Sequence, residues 1–172
     1  MAPWLETLNQ LGLDEFRRAL GGVFEQSPWV AERAFDRRPF ASLEALHEAM
    51  AEVVRRASRE EQLALIRAHP DLAGTAARAA AMSAASVAEQ SSAGLNRLTP
   101  EEYERFERLN GAYREKFGFP FVIAVRRHPK HAILAAFETR LGNGLDDEVE
   151  AALAQIAEIA RLRLDALAKE RR

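Results

Sequence analysis

Hydrophobic residues recur at intervals of three and four along most of this 172-residue chain, which is the spacing of an amphipathic α-helix. The clearest example follows Ser42, a residue type that caps helix N-termini by accepting a backbone hydrogen bond. Its apolar stripe comprises Leu43, Leu46, Met50, Val53 and Val54. The pattern predicts a helix that begins after Ser42, ends near Ser58 and buries one face in a protein core.

Two further helix starts carry capping boxes, in which a hydroxyl and a carboxylate three residues apart satisfy the first unpaired amides of a helix. One pairs Ser58 with Glu61, and its helix must stop before Pro70 because proline has no amide hydrogen. The other pairs Thr99 with Glu102, and its helix is expected to end at a glycine. The remaining predicted helices span residues 14–24, 28–35, 129–141 and 146–167.

The fold class follows from this helical patterning. An Ala-rich stretch at 75–88 has weak patterning and is compatible with either a helix or a loop. Hardly any β-branched residues alternate with polar ones, so strands are not predicted. We therefore predict an all-α fold, a single-domain bundle of about eight helices that occupies residues 1–172.

The composition narrows the class of function. Hydrophobic residues make up 48% of the chain and charged residues 29%, as in a globular protein. The formal net charge is -2, which argues against nucleic acid as a partner. Cysteine is absent, which excludes disulfides, thiol catalysis and cysteine-bound metals. No signal peptide or membrane span is recognisable, so we expect a cytoplasmic protein with no membrane partner.

His69 stands where a predicted helix must stop, because Pro70 pushes the residue before it out of the helical conformation. An imidazole held at a rigid break is suited to proton transfer near neutral pH. Histidines at helix C-termini also commonly interact with the helix dipole. This segment alone favours the second, purely structural interpretation.

The sequence from 86 to 90 offers a cluster of hydrogen-bonding groups. If it is helical, Ser86, Glu89 and Gln90 share one face and present a hydroxyl, a carboxylate and an amide. Such a cluster could bind a polar substrate. The alternative is a solvated helix face, which is what polar residues at this spacing usually form.

An apolar run at 117–125 is interrupted by Gly118 and Pro120 and cannot be a regular amphipathic helix. Its backbone amides and carbonyls must find other partners, and a polar heterocycle could supply them. A short connector in the core explains the same residues equally well.

Arg163 lies on the apolar stripe of the last predicted helix, where a guanidinium needs an anionic partner. That partner is either a protein carboxylate or a substrate carboxylate, although an Arg at such a position more commonly snorkels to solvent. His128 and His131 stand three residues apart without a nearby carboxylate motif. We therefore predict no metal site.

Several strings, taken in series, resemble one known family. They are HPDLAG at 69–74, SxxEQxxAGL at 86–95, LNxxYREKFGFPFVIAVR at 109–126 and RLGN at 140–143. Their order and spacing resemble those of the 2-oxo-4-hydroxy-4-carboxy-5-ureidoimidazoline (OHCU) decarboxylases, which convert an oxidation product of urate to (S)-allantoin. The resemblance runs from about Leu8 to Leu167. One mild departure is Gly144-Leu145 after RLGN, where a more polar continuation is usual.

The resemblance implies a cofactor-free, all-α homodimer that acts on a small ureidoimidazoline. It implies that His69 is catalytic, and we assign Glu89 to hold either the imidazole or the ureido group. The substrate-binding residues that it implies, with Arg163 added for the substrate carboxylate, are Pro70, Ser86, Val87, Ala88, Glu89, Gln90, Phe121, Val122, Ile123, Ala124, Val125 and Arg163.

Two other functions compete with this one. A helical binding or dimerisation module could keep the scaffold without the reaction, but it predicts replaced site residues, and here the motif positions are occupied. A different cofactor-free lyase or hydrolase of ureides could use the same His and Glu on a related ring.

Overall fold

The computed structural model describes residues 2–74 and 82–171, and the regular elements in these ranges are helices. The described part contains nine α-helices, which are α1 Pro3–Gln10, α2 Leu13–Leu20, α3 Trp29–Ala34, α4 Leu43–Arg56, α5 Arg59–Arg67, α6 Ala84–Ser92, α7 Pro100–Phe117, α8 Lys130–Leu141 and α9 Leu145–Glu170. Phe35–Arg37 and Val125–Arg127 form 3-10 turns. The predicted all-α fold is confirmed. No helix in the described ranges is both long and apolar enough to cross a membrane.

The predicted helix caps are present. Ser42 Oγ accepts a hydrogen bond from the Ala45 amide at 3.1 Å and begins α4. Thr99 Oγ1 accepts from the Glu102 amide at 3.2 Å while the Thr99 amide donates to Glu102 Oε1 at 3.1 Å. Ser58 and Glu61 bond reciprocally in the same way at the start of α5. These helix N-termini could be predicted from the sequence because a cap and its partner lie within one helical turn of each other.

The structure also corrects parts of the helix prediction. The helix expected at 14–24 ends at Leu20, where Gly21 and Gly22 follow in a turn. Helix α1 was not predicted, because eight residues are too few to show a clear period. In the Ala-rich stretch, α6 begins at Ala84 after the Ser83 cap, and residues 75–81 lie outside the described residues.

The chain divides into two compact units, one formed by Met1–Leu65 with Ala157–Arg172 and the other by Ile66–Ile156. In the first unit α3 packs against α2 and α4 around buried side chains that include Phe16, Leu46 and Met50. In the second unit α7 packs against α8. The core of the second unit is aromatic and contains Phe106, Tyr113, Phe117, Phe119, Phe121 and Phe137.

Candidate functional site

His69 lies in the second unit just beyond the end of α5, as the Pro70 stop predicts. Its backbone amide donates to the Ile66 carbonyl at 3.2 Å, which closes the last turn. Only 6% of the residue is exposed, so the imidazole is largely removed from bulk water. The residues that follow it, Pro70–Ala73, form an irregular loop that we call the His-Pro loop.

The His-Pro loop is tied to α6 through the side chain of Gln90. Gln90 Nε2 donates to the Asp71 carbonyl at 3.1 Å, and the Ala73 amide donates to Gln90 Oε1 at 2.9 Å. The amide group predicted to bind a substrate therefore already holds the backbone of the loop. Ala73 has a φ of 52°, a left-handed conformation that costs a residue with a Cβ some energy.

The His-Pro loop is also tied to α7. Asn110 Nδ2 donates to the Leu72 carbonyl at 2.8 Å. One turn further along the helix, Arg114 Nε contacts Asp71 Oδ1 at 2.9 Å. The loop is thus held by side chains from two helices, Gln90 of α6 and Asn110 and Arg114 of α7.

Helix α6 places its predicted site residues on two different faces. Ser86 and Gln90 are buried, and Glu89 is half-buried. Val87 and Ala88 are exposed. The helix packs against the 3-10 turn Val125–Arg127, which brings it next to the end of the irregular segment 118–124. The second unit thus gathers three sequence regions that were predicted separately.

Residues Phe121–Val125 are buried and non-helical up to Ala124, as predicted for a segment broken by Gly118 and Pro120. Two of their backbone groups are held by side chains. Arg140 Nη1 donates to the Val122 carbonyl at 2.7 Å, and the Ala124 amide donates to Gln155 Oε1 at 3.0 Å.

A buried carboxylate, Glu148, organises the residues around this segment. Tyr113 Oη and Arg140 Nε donate to Glu148 Oε1 at 2.8 Å and 2.5 Å. Asn143 Nδ2 donates to Glu148 Oε2 at 3.1 Å. Burial, together with the hydrogen bond to this carboxylate, raises the pKa of the Tyr113 hydroxyl far above its ordinary value. We call this group of four side chains the Glu148 cluster.

Sequence reasoning missed the Glu148 cluster. In the sequence Tyr113 stands among the apolar residues of α7 and Glu148 in the acidic first turn of α9, and neither position indicates that the two side chains meet. The only signal was the RLGN string, which contains Arg140 and Asn143 but does not name their partner.

Arg163 lies in the first unit, and it is paired there with a buried carboxylate. Its Nη2 contacts Glu25 Oε2 at 2.8 Å, and its Nη1 donates to the Gly22 carbonyl at 3.0 Å. Glu25 is therefore the anionic partner that the Arg163 guanidinium needs on this stripe. The assignment of Arg163 to a substrate carboxylate remains a prediction.

Two further features of the described residues bear on ligand binding. An open cavity of about 390 Å³ lies beside Ala73 and Gly74 and is also lined by Leu95, Thr99 and Tyr103. None of the described residues predicted for the site lines it. Among residues 2–74 and 82–171, no group of three or more His, Asp or Glu side chains is arranged to hold a metal ion.

Comparison with known proteins decides the family. The model of the OHCU decarboxylase family matches residues 9–165, which include all of the second unit, most of the first and all the predicted site residues. The chain belongs to the OHCU decarboxylase family.

Individual members of the family agree with this placement. The chain is 49% identical over 160 residues to a 2-oxo-4-hydroxy-4-carboxy-5-ureidoimidazoline decarboxylase of Haloferax volcanii, covering 93% of each protein. It is 45% identical to a uric acid degradation bifunctional protein of a Bacillus strain, covering 96% of this chain and 32% of that protein. A crystal structure of (S)-allantoin synthase shares its fold with a TM-score of 0.74 and 33% identity, covering 95% of this chain and 53% of that one.

Proposed function

We propose that this chain is a carboxy-lyase that decarboxylates OHCU to (S)-allantoin in urate degradation. The observation that carries the proposal is family membership over residues 9–165 together with an intact, buried His69 in the HPDLAG string. The names of the relatives specify the decarboxylase and the degradation of uric acid. The name of the structural relative specifies the (S) enantiomer.

The substrate contains the electron acceptor that its own decarboxylation needs. One ring carbon carries both the carboxylate and a hydroxyl, and the neighbouring carbon, which bears the ureido group, is part of a C=N bond. When the C–CO2 bond breaks, its electron pair forms a C=C bond between the two ring carbons, and the C=N pair moves to nitrogen, which takes a proton. The ureido-bearing carbon then gains a proton and the hydroxyl loses one. The products are allantoin and CO2, with one proton taken up overall.

Because the substrate accepts the electron pair itself, the protein does not have to supply an electron sink. Cofactors such as pyridoxal phosphate supply an electron sink where a substrate lacks one, and this substrate does not lack one. We therefore propose that no cofactor takes part. The protein must orient the ring and move protons on one face, so that a single enantiomer forms.

We assign the proton transfer to His69, because its imidazole is buried at a rigid chain break in the second unit. Glu89 holds the imidazole or the ureido group in place. Ser86 and Gln90, with the backbone of Phe121–Val125, satisfy the fixed donors and acceptors of the ring. Pro70, Val87 and Ala88 complete the binding residues of the second unit, and Arg163 is assigned to the carboxylate.

We also propose that the protein is a homodimer and acts in the cytoplasm. Both proposals rest on the family resemblance. Light scattering on the purified protein tests the first, because a dimer has twice the 19.2 kDa mass of the chain. A monomeric mass in solution would contradict it.

The test of the proposed function is circular dichroism on freshly generated OHCU. The wild type should produce optically active allantoin rapidly, whereas His69→Asn should lower kcat by about 10²–10⁴-fold, the range expected for loss of a general acid–base group. The matched control is His131→Asn, which changes the same residue type at an exposed position on α8 and should retain the wild-type rate.

Each contrary result has a definite meaning. Full turnover by His69→Asn would remove His69 from the proton transfer. A wild type that leaves OHCU to decay into racemic product would contradict the decarboxylase function and favour a binding module or a different ureide enzyme.

A further inference from the structure

The His-Pro loop has an anchor on α7 that the predicted site residues do not include. Asn110 and Arg114 lie four residues apart, and therefore on one face of this helix. They reach consecutive residues of the loop, the carbonyl of Leu72 and the carboxylate of Asp71. Both contacts lie within three residues of His69.

Asn110 is a buried polar side chain that uses only its amide donor in the contact with the loop. Asn110 is buried, and its Oδ1 atom has no hydrogen-bond partner among the described residues. A buried acceptor without a partner costs about 1–3 kcal/mol. A leucine of similar size would avoid that cost but could not donate to the Leu72 carbonyl. The amide at this position therefore serves the geometry of the loop rather than the packing of α7.

The Arg114 contact is asymmetric. The Asp71 side chain is 1% exposed, whereas the Arg114 side chain is 47% exposed. Arg114 thus lies on the surface of α7 and reaches inward to a carboxylate two residues from His69. The Arg114 side chain itself contributes little to the core, but its loss takes the cation from a buried carboxylate, so the stability of each Arg114 variant has to be measured beside its kcat.

The conformation of the loop explains why such anchors are needed. Ala73 is in the left-handed region, with a φ of 52°. A residue in this region persists only where surrounding contacts hold it. Gln90 holds the loop from α6, and Asn110 and Arg114 hold it from α7.

We propose that Asn110 and Arg114 are positioning residues for the decarboxylation. They hold the His-Pro loop on α7 and thereby fix the place of His69 relative to the substrate. The inference rests on the proposed function, because Asn110 and Arg114 affect the reaction only if His69 transfers the proton. A displaced imidazole weakens proton transfer in the transition state more than it weakens substrate binding, so kcat should fall while KM changes little.

The experiment compares Arg114→Gln, Arg114→Lys and Asn110→Leu with the wild type. We expect kcat for OHCU to fall about 10- to 100-fold in Arg114→Gln and Asn110→Leu, with KM within about threefold of the wild type. Arg114→Lys, which keeps the charge, should recover part of the rate. Thermal unfolding of each variant shows that it is folded.

The matched control is Arg105→Gln, the same substitution on the same helix. The Arg105 side chain is 41% exposed and pairs with Glu138, an exposed carboxylate on α8 that is remote in sequence from the His-Pro loop. Its kcat should equal that of the wild type. An equal loss in Arg105→Gln, or full kcat in folded Arg114→Gln and Asn110→Leu, would overturn the proposal.

A second measurement keeps this test separate from the proposed function. The ring-proton NMR signals of His69, assigned by their absence in His69→Asn, report the surroundings of the imidazole without any substrate. They should shift in Arg114→Gln and Asn110→Leu and stay in place in Arg105→Gln. Unchanged His69 signals in the first two variants would overturn the positioning role. If the wild type fails to produce (S)-allantoin while the signals still shift, it is the proposed function that fails.

Discussion

Two irregular segments of the second unit carry site residues, and they are held in different ways. The His-Pro loop is fastened by single polar side chains that reach its backbone and Asp71 from α6 and α7. The segment Phe119–Ala124 is instead packed into the aromatic core and braced by the Glu148 cluster. The difference indicates that the loop contacts chiefly set geometry, whereas the segment contacts chiefly set stability.

The aromatic packing of the second segment is extensive. Phe121 stacks on Phe137 with 4.0 Å between ring centroids, and the Arg140 guanidinium lies over the Phe121 ring, 4.4 Å from its centroid. Tyr113 contacts Phe117, Phe119, Phe121 and Phe137 edge-on or tilted. Its hydroxyl reaches Glu148 from the middle of this group. Disturbing the cluster should therefore disturb the core.

The largest expected effect is that of Glu148→Ala. It removes the carboxylate from a largely buried Arg140 guanidinium, and breaking a buried ion pair in this way typically costs about 3–5 kcal/mol. Chemical denaturation should therefore show a large loss in the free energy of unfolding. Glu150→Ala, at an exposed position on the same helix, is the control and should change stability by about 0.5 kcal/mol or less. A similar small loss in Glu148→Ala would remove the contrast between the two segments.

An intermediate effect is expected for Gln90→Leu. It leaves the Ala73 amide and the Asp71 carbonyl without their side-chain partner, at a cost of about 1–3 kcal/mol. Hydrogen exchange should accelerate at the Ala73 amide but not at the Ala124 amide, which Gln155 holds. Ser92→Ala, which removes an exposed hydroxyl contact on the same helix, should change neither amide. Equal acceleration at both amides would mean that the two segments are not held independently.

The smallest effect at neutral pH is expected for Tyr113→Phe, which should cost about 1.5 kcal/mol, the low end for a hydrogen bond to a charged group, because Arg140 and Asn143 still hold the Glu148 carboxylate. The pH dependence of this loss of stability is more informative than its size. Folding raises the pKa of Tyr113 above its ordinary value of 10.0, so the unfolded chain releases this proton first. The contribution of Tyr113 to stability is then complete below pH 10 and is lost as the pH rises further.

Denaturation curves at several pH values check this sign. Above pH 10 the wild type should lose stability more steeply than Tyr113→Phe, and the difference between the two proteins should shrink. Parallel losses in the two proteins would show that the hydroxyl is not held in its neutral form by the Glu148 cluster.

Much of the fold could be predicted from local patterns. The stripe after Ser42, the two capping boxes and the stop at Pro70 each involve residues within a few positions of one another. The same holds for His69, whose place after α5 follows from the proline next to it. Helix α1 was missed because so short an element shows too little periodicity.

The contacts of the candidate site could not be predicted in the same way. Gln90 looked like a ligand-binding amide, yet it holds the loop backbone 17 residues away in sequence. Arg163 needed an anion, but nothing near it in sequence identified Glu25, which lies 138 residues away. RLGN drew attention to Arg140 and Asn143 without indicating that Glu148 joins them.

The sequence by itself determined the helical class, most helix boundaries, the break at His69 and, through strings of residues in series, the family. These depend on backbone hydrogen bonds and side-chain spacing within one or two turns, which neighbouring residues encode directly. The tertiary structure alone decided which polar side chain meets which backbone group. Those pairings depend on how helices pack, and packing directions are set by the whole core rather than by any local stretch of chain.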